Sequence, residues 1–286
     1  MFNRTDVVYS YDGTFDGLLC CVFESFLRRE RPQSIVSADS PQLSLLPVKT
    51  IETDASKAAR VAAALPKRMG QEAADQVHLC YLTCLEDREL VSLDFIHQGF
   101  AYGPDVLNRL TDDTVHTMRR AVGRLTGESH LLKGFIRFSD YDGMLVAVIH
   151  PKNLVLPLLR EHFCDRFCNE RFVIYDENHG MGLVYRPYES QIVPIDDLVL
   201  RQPDEEELRY QQLWRQYYDA IAIKARANPK CRMSHMPKRY WDYMTEFGST
   251  AVQSRIRSDM NAIDSASAGP GRIRPTAANN ANDCGI

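Results

Sequence analysis

The alternation of apolar and polar positions is clearest between Gly134 and Tyr185. Phe135–Phe138 and Met144–Ile149 read as strands, joined through Asp142-Gly143, a dipeptide suited to a tight hairpin turn. Pro157 fits only near the first turn of a helix, so a helix follows that turns Leu158, Leu159 and Phe163 inward. Phe172–Tyr175 and Gly182–Tyr185 form a second strand pair around Asn178-His179-Gly180. The pattern predicts two hairpins flanking one short helix, with His150, His162 and His179 at the junctions.

Upstream the period changes to that of helices. Val7–Tyr11 reads as a short strand with Asp12-Gly13 as its turn, and a helix over Phe15–Arg29 buries Leu18, Leu19, Val22, Phe23 and Phe26. Pro32, Pro41 and Pro47 then punctuate an irregular stretch. Thr53 or Asp54 suits the N-cap of a helix through Arg68 with Ala58, Val61, Ala62 and Leu65 on one face. Further helical segments fall near 71–86, 89–102 and 112–127.

Downstream, the acids Asp204-Glu205-Glu206-Glu207 sit where the positive end of a helix dipole favours them. Tyr210, Trp214, Tyr217, Tyr218, Ile221 and Ala225 share one face of that helix, and another begins near Pro237 with Tyr240, Trp241 and Met244. Residues 249–286 are rich in Ser, Ala, Asn, Gly and Pro, too poor in apolar area to offset ordering, and are expected to be disordered.

With 286 residues, 44% hydrophobic and 25% charged, the chain has the makeup of a soluble globular protein. A net charge of −4 argues against a wholly basic coat for nucleic acid. No run of about eighteen apolar residues offers a membrane span, and the N-terminus lacks the pattern of a secretory signal. A cytoplasmic location with reduced thiols follows. The eight cysteines include Cys80/Cys84 and Cys164/Cys168, each pair one helical turn apart. Without a CxxC knuckle they point to core or surface thiols rather than zinc, and no metal or cofactor is expected. Phosphate-binding glycine loops and a nucleophile elbow are missing.

Two constellations carry chemistry. Lys224, Arg226, Lys230, Arg232, Lys238 and Arg239, with His235, fall in a stretch without an acid beside Tyr240 and Trp241. Cations neutralise phosphates and an aromatic ring stacks on an unpaired base, so this stretch suits nucleic acid, against the plain alternative of a solvated helix face. His150, His162 and His179 with Asp176 supply acid–base groups if the fold gathers them, although their spacing fits no metal signature.

The stretches 9–26, 134–167, 173–185 and 221–241 together resemble a bacterial family of unknown function described as "probable DNA metabolism protein", over about residues 7–247. Members of that family are typically encoded beside a putative DNA-modification or repair radical-SAM protein, and related domains are fused to uracil-DNA-glycosylase-like proteins. The resemblance implies DNA and a radical-SAM protein as partners. It carries no established catalytic residue; its matching positions are His150-Pro151-Lys152-Asn153, His162-Phe163, Asp176 and Lys238-Arg239-Tyr240-Trp241. Cys164 and Cys168 depart from its pattern.

The expected fold is α+β in one domain over 1–248: helix-rich to 130, a small mainly antiparallel sheet around 134–186, and helices over 204–248. The leading expectation for function is an accessory protein of DNA repair or modification. In it Lys224, Arg226, Lys238 and Arg239 grip phosphates, and Tyr240 or Trp241 stacks on a base. The alternatives are an enzyme using His150, His162 and Asp176, and a protein-binding scaffold presenting Trp214, Tyr217 and Tyr218.

Overall fold

A computed structural model describes residues 3–38, 45–196, 198, 200 and 202–247. The side chain of Lys224 and the expected tail, 249–286, lie outside the described parts. The fold is α+β, and the chain divides into two compact units, 1–127 and 128–286, where the sequence suggested one domain.

The first unit is built on a small parallel sheet. After β1 (Asn3–Arg4), β2 (Val8–Tyr11) leads into α1 (Phe15–Arg28), followed by β3 (Glu30–Arg31), β4 (Ser34–Ser37) and β5 (Val48–Thr50). β2 lies between β4 and β5, parallel to both, and β1 pairs with β3. The proline-punctuated stretch thus contains two strands that its composition hides. Thr14 caps α1 by accepting the Gly17 N–H, and the Asp12 carboxylate holds Thr14 and Thr53 at 2.7 and 2.8 Å. Asp54 caps α2 (Ala55–Met69), with Ala58, Val61 and Leu65 inward and Ala62 exposed. α3 (Gln71–Tyr81) and α4 (Arg88–Tyr102) complete a core of Tyr9, Tyr11, Leu18, Leu19, Met69, Leu93 and Phe95.

α5 (Asp113–Phe135) crosses the boundary between the units. It overruns its predicted end and absorbs Phe135, because Leu125, Glu128, Ser129 and Leu132 continue one buried helical face. The expected strand 135–138 is therefore replaced by β6 (Ser139–Asp140). The Asp142-Gly143 turn forms, with φ of 55° and 77°, the left-handed backbone that this turn demands.

β7 (Leu145–Ile149), α6 (Leu156–Arg166), β8 (Phe172–Asp176), β9 (Met181–Arg186) and β10 (Glu189–Pro194) follow. Their sheet has the order β10-β9-β8-β7-β6. β7 and β8 are parallel and the other neighbours antiparallel, so the two expected hairpins merge into one sheet through the α6 crossover. β10 had no clear sequence signal. α6 buries Leu156, Leu159 and Phe163, with Leu158 half-buried.

α7 (Glu205–Ile221), capped by Asp204, and α8 (Pro229–His235) are followed by a 3-10 turn, Lys238–Tyr243, in place of the predicted last helix. Ala225 lies beyond the end of α7. Among the described residues no helix is long and apolar enough to cross a membrane.

Candidate functional site

The resemblance-derived positions, apart from His162-Phe163, Lys238 and Trp241, gather in the second unit where parallel strands β7 and β8 end. Ile149 and Asp176 are register partners, so the loops after both strands leave the sheet side by side. Asp176 is fully buried. One of its oxygens accepts the backbone N–H groups of Asn178 and His179 at 3.1 and 3.2 Å, and the other lies 2.7 Å from His179 Nδ1. A carboxylate accepts only, so Nδ1 carries the hydrogen and Nε2 is left as the basic nitrogen. This is an oriented imidazole on a buried acid.

His150, half-exposed, lies parallel to the Tyr243 ring with centroids 6.4 Å apart. Its Nδ1 is 3.6 Å from the Glu177 carboxylate, to which Tyr243 donates at 2.8 Å. Asn178 donates to the Pro151 carbonyl at 2.9 Å, tying one loop to the other. Beside His150 a hollow of about 10 Å³ is lined by Leu132, Ile149, Tyr240 and Tyr243. It has room for about one water and none for a nucleobase.

Glu128 is the residue that sequence reasoning missed. Its buried carboxylate accepts the backbone N–H of Lys152 (3.1 Å) and of Asn153 (2.9 Å) and the Asn153 amide (2.7 Å). It also pairs with Arg239 at 3.1 Å, with the Tyr240 hydroxyl at 3.4 Å. One acid thus pins α5, the 151–153 loop and the 238–243 turn together. The available signal was a lone acid on the apolar face of α5, between Leu125 and Leu132.

His162 does not join this cluster. It sits half-buried on α6, edge-on to Phe163, and no contact among the described residues links it to His150 or Asp176. Burial, then the charges of Lys133 and Arg166, push its pKa down. Of the candidates His150, His162 and Asp176, His150 and Asp176 thus lie at neighbouring strand ends and His162 apart, while His179 is the imidazole in contact with Asp176.

The basic stretch separates into two kinds of residue. Arg226, Lys230, Arg232 and Lys238 are exposed. Arg239 is committed to Glu128. Tyr240 is a core side chain, 4% exposed and packed on Phe135, and burial pushes its phenol pKa up. Its ring offers no open face to a base. Trp241 is half-buried and donates to the Met236 carbonyl at 3.0 Å. Its ring stacks on Phe247 at 4.7 Å, with Arg232 at 5.1 Å and Lys238 at 5.9 Å. The aromatic platform is thus engaged internally, with the exposed Arg232 and Lys238 over it, while Arg226 and Lys230 are exposed elsewhere in the stretch.

Trp214 and Tyr217 are exposed on α7, whereas Tyr218 is half-buried against Phe247. Among the described residues no three His, Cys, Asp or Glu side chains form a metal site, and Cys80, Cys164 and Cys168 are free thiols. Burial pushes the Cys80 and Cys164 thiols up, away from reactive thiolate.

No curated protein and no solved structure matches the chain. Residues 86–246 match the family model described as a domain of unknown function, DUF4130, and this span holds Glu128, His150, Asp176, His179 and Arg239. As the match covers more than half of its 286 residues, the chain belongs to the DUF4130 family.

Proposed function

We propose that the protein binds nucleic acid through the cations of residues 226–238 and acts as an accessory protein in DNA repair or modification. The observation that carries this reading is the exposure of Arg226, Lys230, Arg232 and Lys238, none of which has an ion pair among the described residues. Phosphate neutralisation needs such solvent-facing cations and no base pocket. The resemblance to DNA-metabolism proteins supplies DNA as the polymer and a radical-SAM protein as the partner.

The test is fluorescence anisotropy of labelled single- and double-stranded DNA over a salt series. Intact protein is compared with an Arg226→Ala, Lys230→Ala, Lys238→Ala variant, which leaves the structural Arg239 in place. Losing three phosphate contacts lowers the magnitude of the salt slope by about 2.7 on duplex and about 2.1 on single strands. Binding indifferent to salt or to the variant sinks the reading.

The Asp176–His179 contact favours a second reading, an enzyme acting on a nucleic-acid base or sugar with His179 Nε2 as the base. Turnover of a panel of oligonucleotides carrying damaged or modified bases, lost in His179→Gln, is its signature. No turnover of that panel by the intact protein counts against it.

A further inference from the structure

α7 is mounted mainly through polar side chains, with Tyr218 edge-on to Phe247 on the docked face. Glu207 accepts from the Asp140 N–H, Gln211 donates to Ser139, and Arg215 donates to the Thr245 carbonyl at 2.9 Å. Trp214 donates its ring N–H to Glu246, which is held by Arg137 at 2.6 Å, and Arg137 also lies 5.7 Å over the Trp214 ring. No residue of this 17-residue helix is buried. Beside the docked face, Tyr210, Leu213, Trp214, Tyr217 and Ile221 recur at helical spacing as an apolar stripe, each 40–60% exposed. An amphipathic helix ordinarily turns such a stripe to the core. A contiguous stripe left in water marks an interaction surface.

The charges along the helix say what covers it. Asp204 to Glu207 make its first turn acidic, with Glu205 and Glu206 exposed. The segment beyond its C-terminus is basic, with Arg226 and Lys230 exposed. The stripe is also nearly symmetric about a point between Arg215 and Gln216, with an aromatic or branched side chain at matching distances on either side. A second copy laid antiparallel across α7 places its Ile221 on Tyr210 and its Tyr217 on the Leu213–Trp214 pair. The same operation sets the acidic first turn of each helix toward the C-terminal end of the other, where Arg226 follows five residues beyond Ile221. A parallel pairing would oppose acid to acid.

We infer that the chain self-associates as a two-fold dimer through the outward stripe of α7, antiparallel, with the 205–206 acids of each copy against the 226–230 cations of the other. A two-fold axis makes the patch complementary to itself, the commonest form of homo-oligomer interface. One helix pair buries less than the roughly 1,200 Å² at the low end of stable interfaces, so the association is reversible and in the micromolar range or weaker.

Sedimentation equilibrium of the intact chain from about 1 to about 200 μM reads this directly. A monomer–dimer equilibrium is expected, and Tyr217→Lys, applied twice across the axis, weakens it at least about tenfold. The exposure of Tyr217 predicts an unchanged far-UV circular dichroism spectrum, which separates lost association from lost folding. Glu205→Lys with Glu206→Lys also weakens the dimer, and adding Arg226→Glu with Lys230→Glu restores most of it.

A chain that stays monomeric throughout overturns the inference, as does a dimer indifferent to Tyr217→Lys. A charge swap without recovery overturns the antiparallel arrangement. A monomer whose thermal midpoint falls on Tyr217→Lys has its stripe covered within its own chain, which also overturns the dimer. Tyr217→Lys leaves Lys230 and Lys238 in place, so failure here and failure of the nucleic-acid reading are told apart by anisotropy on that variant.

Discussion

The Glu128 carboxylate lies 3.1 Å from the Arg239 guanidinium, and the acid is buried while the arginine is half in water. The pair therefore differs from a surface salt bridge. Glu128 has lost its hydration and depends on Arg239, two backbone N–H groups and the Asn153 amide to replace it. The arginine that the basic stretch offered as a phosphate ligand serves first as the counter-ion of a structural acid.

Removing either partner should cost much more than neutralising an exposed cation. Arg239→Ala leaves a buried carboxylate without its counter-charge, and Glu128→Ala strands the donors of residues 152 and 153. Each is expected to lower the unfolding free energy by about 3 kcal/mol. Arg226→Ala, at an exposed position, should stay within about 0.5 kcal/mol of the parent. Urea denaturation of the intact chain, followed by far-UV circular dichroism, checks the contrast; equal midpoints for all three would refute it.

Acid should loosen the first unit through His97. Burial lowers its pKa to about 4, with Arg31 adding to the shift and Asp94 opposing it; Phe26 lies edge-on and Ser25 Oγ is 3.0 Å from Nε2. The unfolded chain takes up this proton near pH 6.5 and the folded chain only near 4. Between those values the unfolded state binds more protons. The stability contributed is thus present above pH 6.5 and is lost as pH falls toward 4, a change on the order of 2–3 kcal/mol. Thermal melts from pH 7.5 to 4 should show a shallower acid decline in His97→Gln than in the parent.

Glycines divide sharply by what a side chain would meet. At Gly17 a Cβ would stand 2.3 Å from the Asp12 carboxylate and 2.9 Å from Tyr11, inside the hydrogen-bonded start of α1. Gly17→Ala should destabilise by about 2 kcal/mol. At Gly123 and Gly127 of α5 nothing lies within 4 Å, and both are exposed in a helix interior. Gly123→Ala and Gly127→Ala should each stabilise by about 0.5–1 kcal/mol. Thermal midpoints moving the same way at all three positions would contradict this reading.

What could be read from the sequence was local. The helix starts at Asp54 and Asp204 and the Asp142-Gly143 turn need only near neighbours and specific backbone angles, and all three form. Phe135–Phe138 read as a strand, but a short apolar segment fits either period, and the buried face of α5 decided for helix at Phe135. β4 and β5 owe their existence to parallel pairing with β2, which no local pattern reports. The site was half legible. Asp176 and His179 lie three residues apart, but the partners of Glu128 lie between 24 and 112 residues away. The outward turn of α7 was hidden as well, because its polar side is drawn inward by contacts with Ser139, Asp140 and Thr245.

The geometry of Trp241 separates phosphate gripping from base stacking. Phe247, Arg232 and Lys238 already engage the ring, and its N–H is spent on the Met236 carbonyl. A base entering there would have to displace Phe247 and give up a stacked aromatic pair worth about 0.5–1.5 kcal/mol. Trp241→Leu should therefore lower the thermal midpoint of the protein yet leave DNA affinity, measured well below that midpoint, within about twofold of the parent. A stacked base, by comparison, contributes about 1–3 kcal/mol. Lys230→Ala with Lys238→Ala should do the reverse, leaving the midpoint alone and flattening the salt slope by about 1.8 on duplex DNA. Paired anisotropy and melting curves on the two variants give the answer, and a large affinity loss confined to Trp241→Leu would return the ring to the nucleic-acid interface.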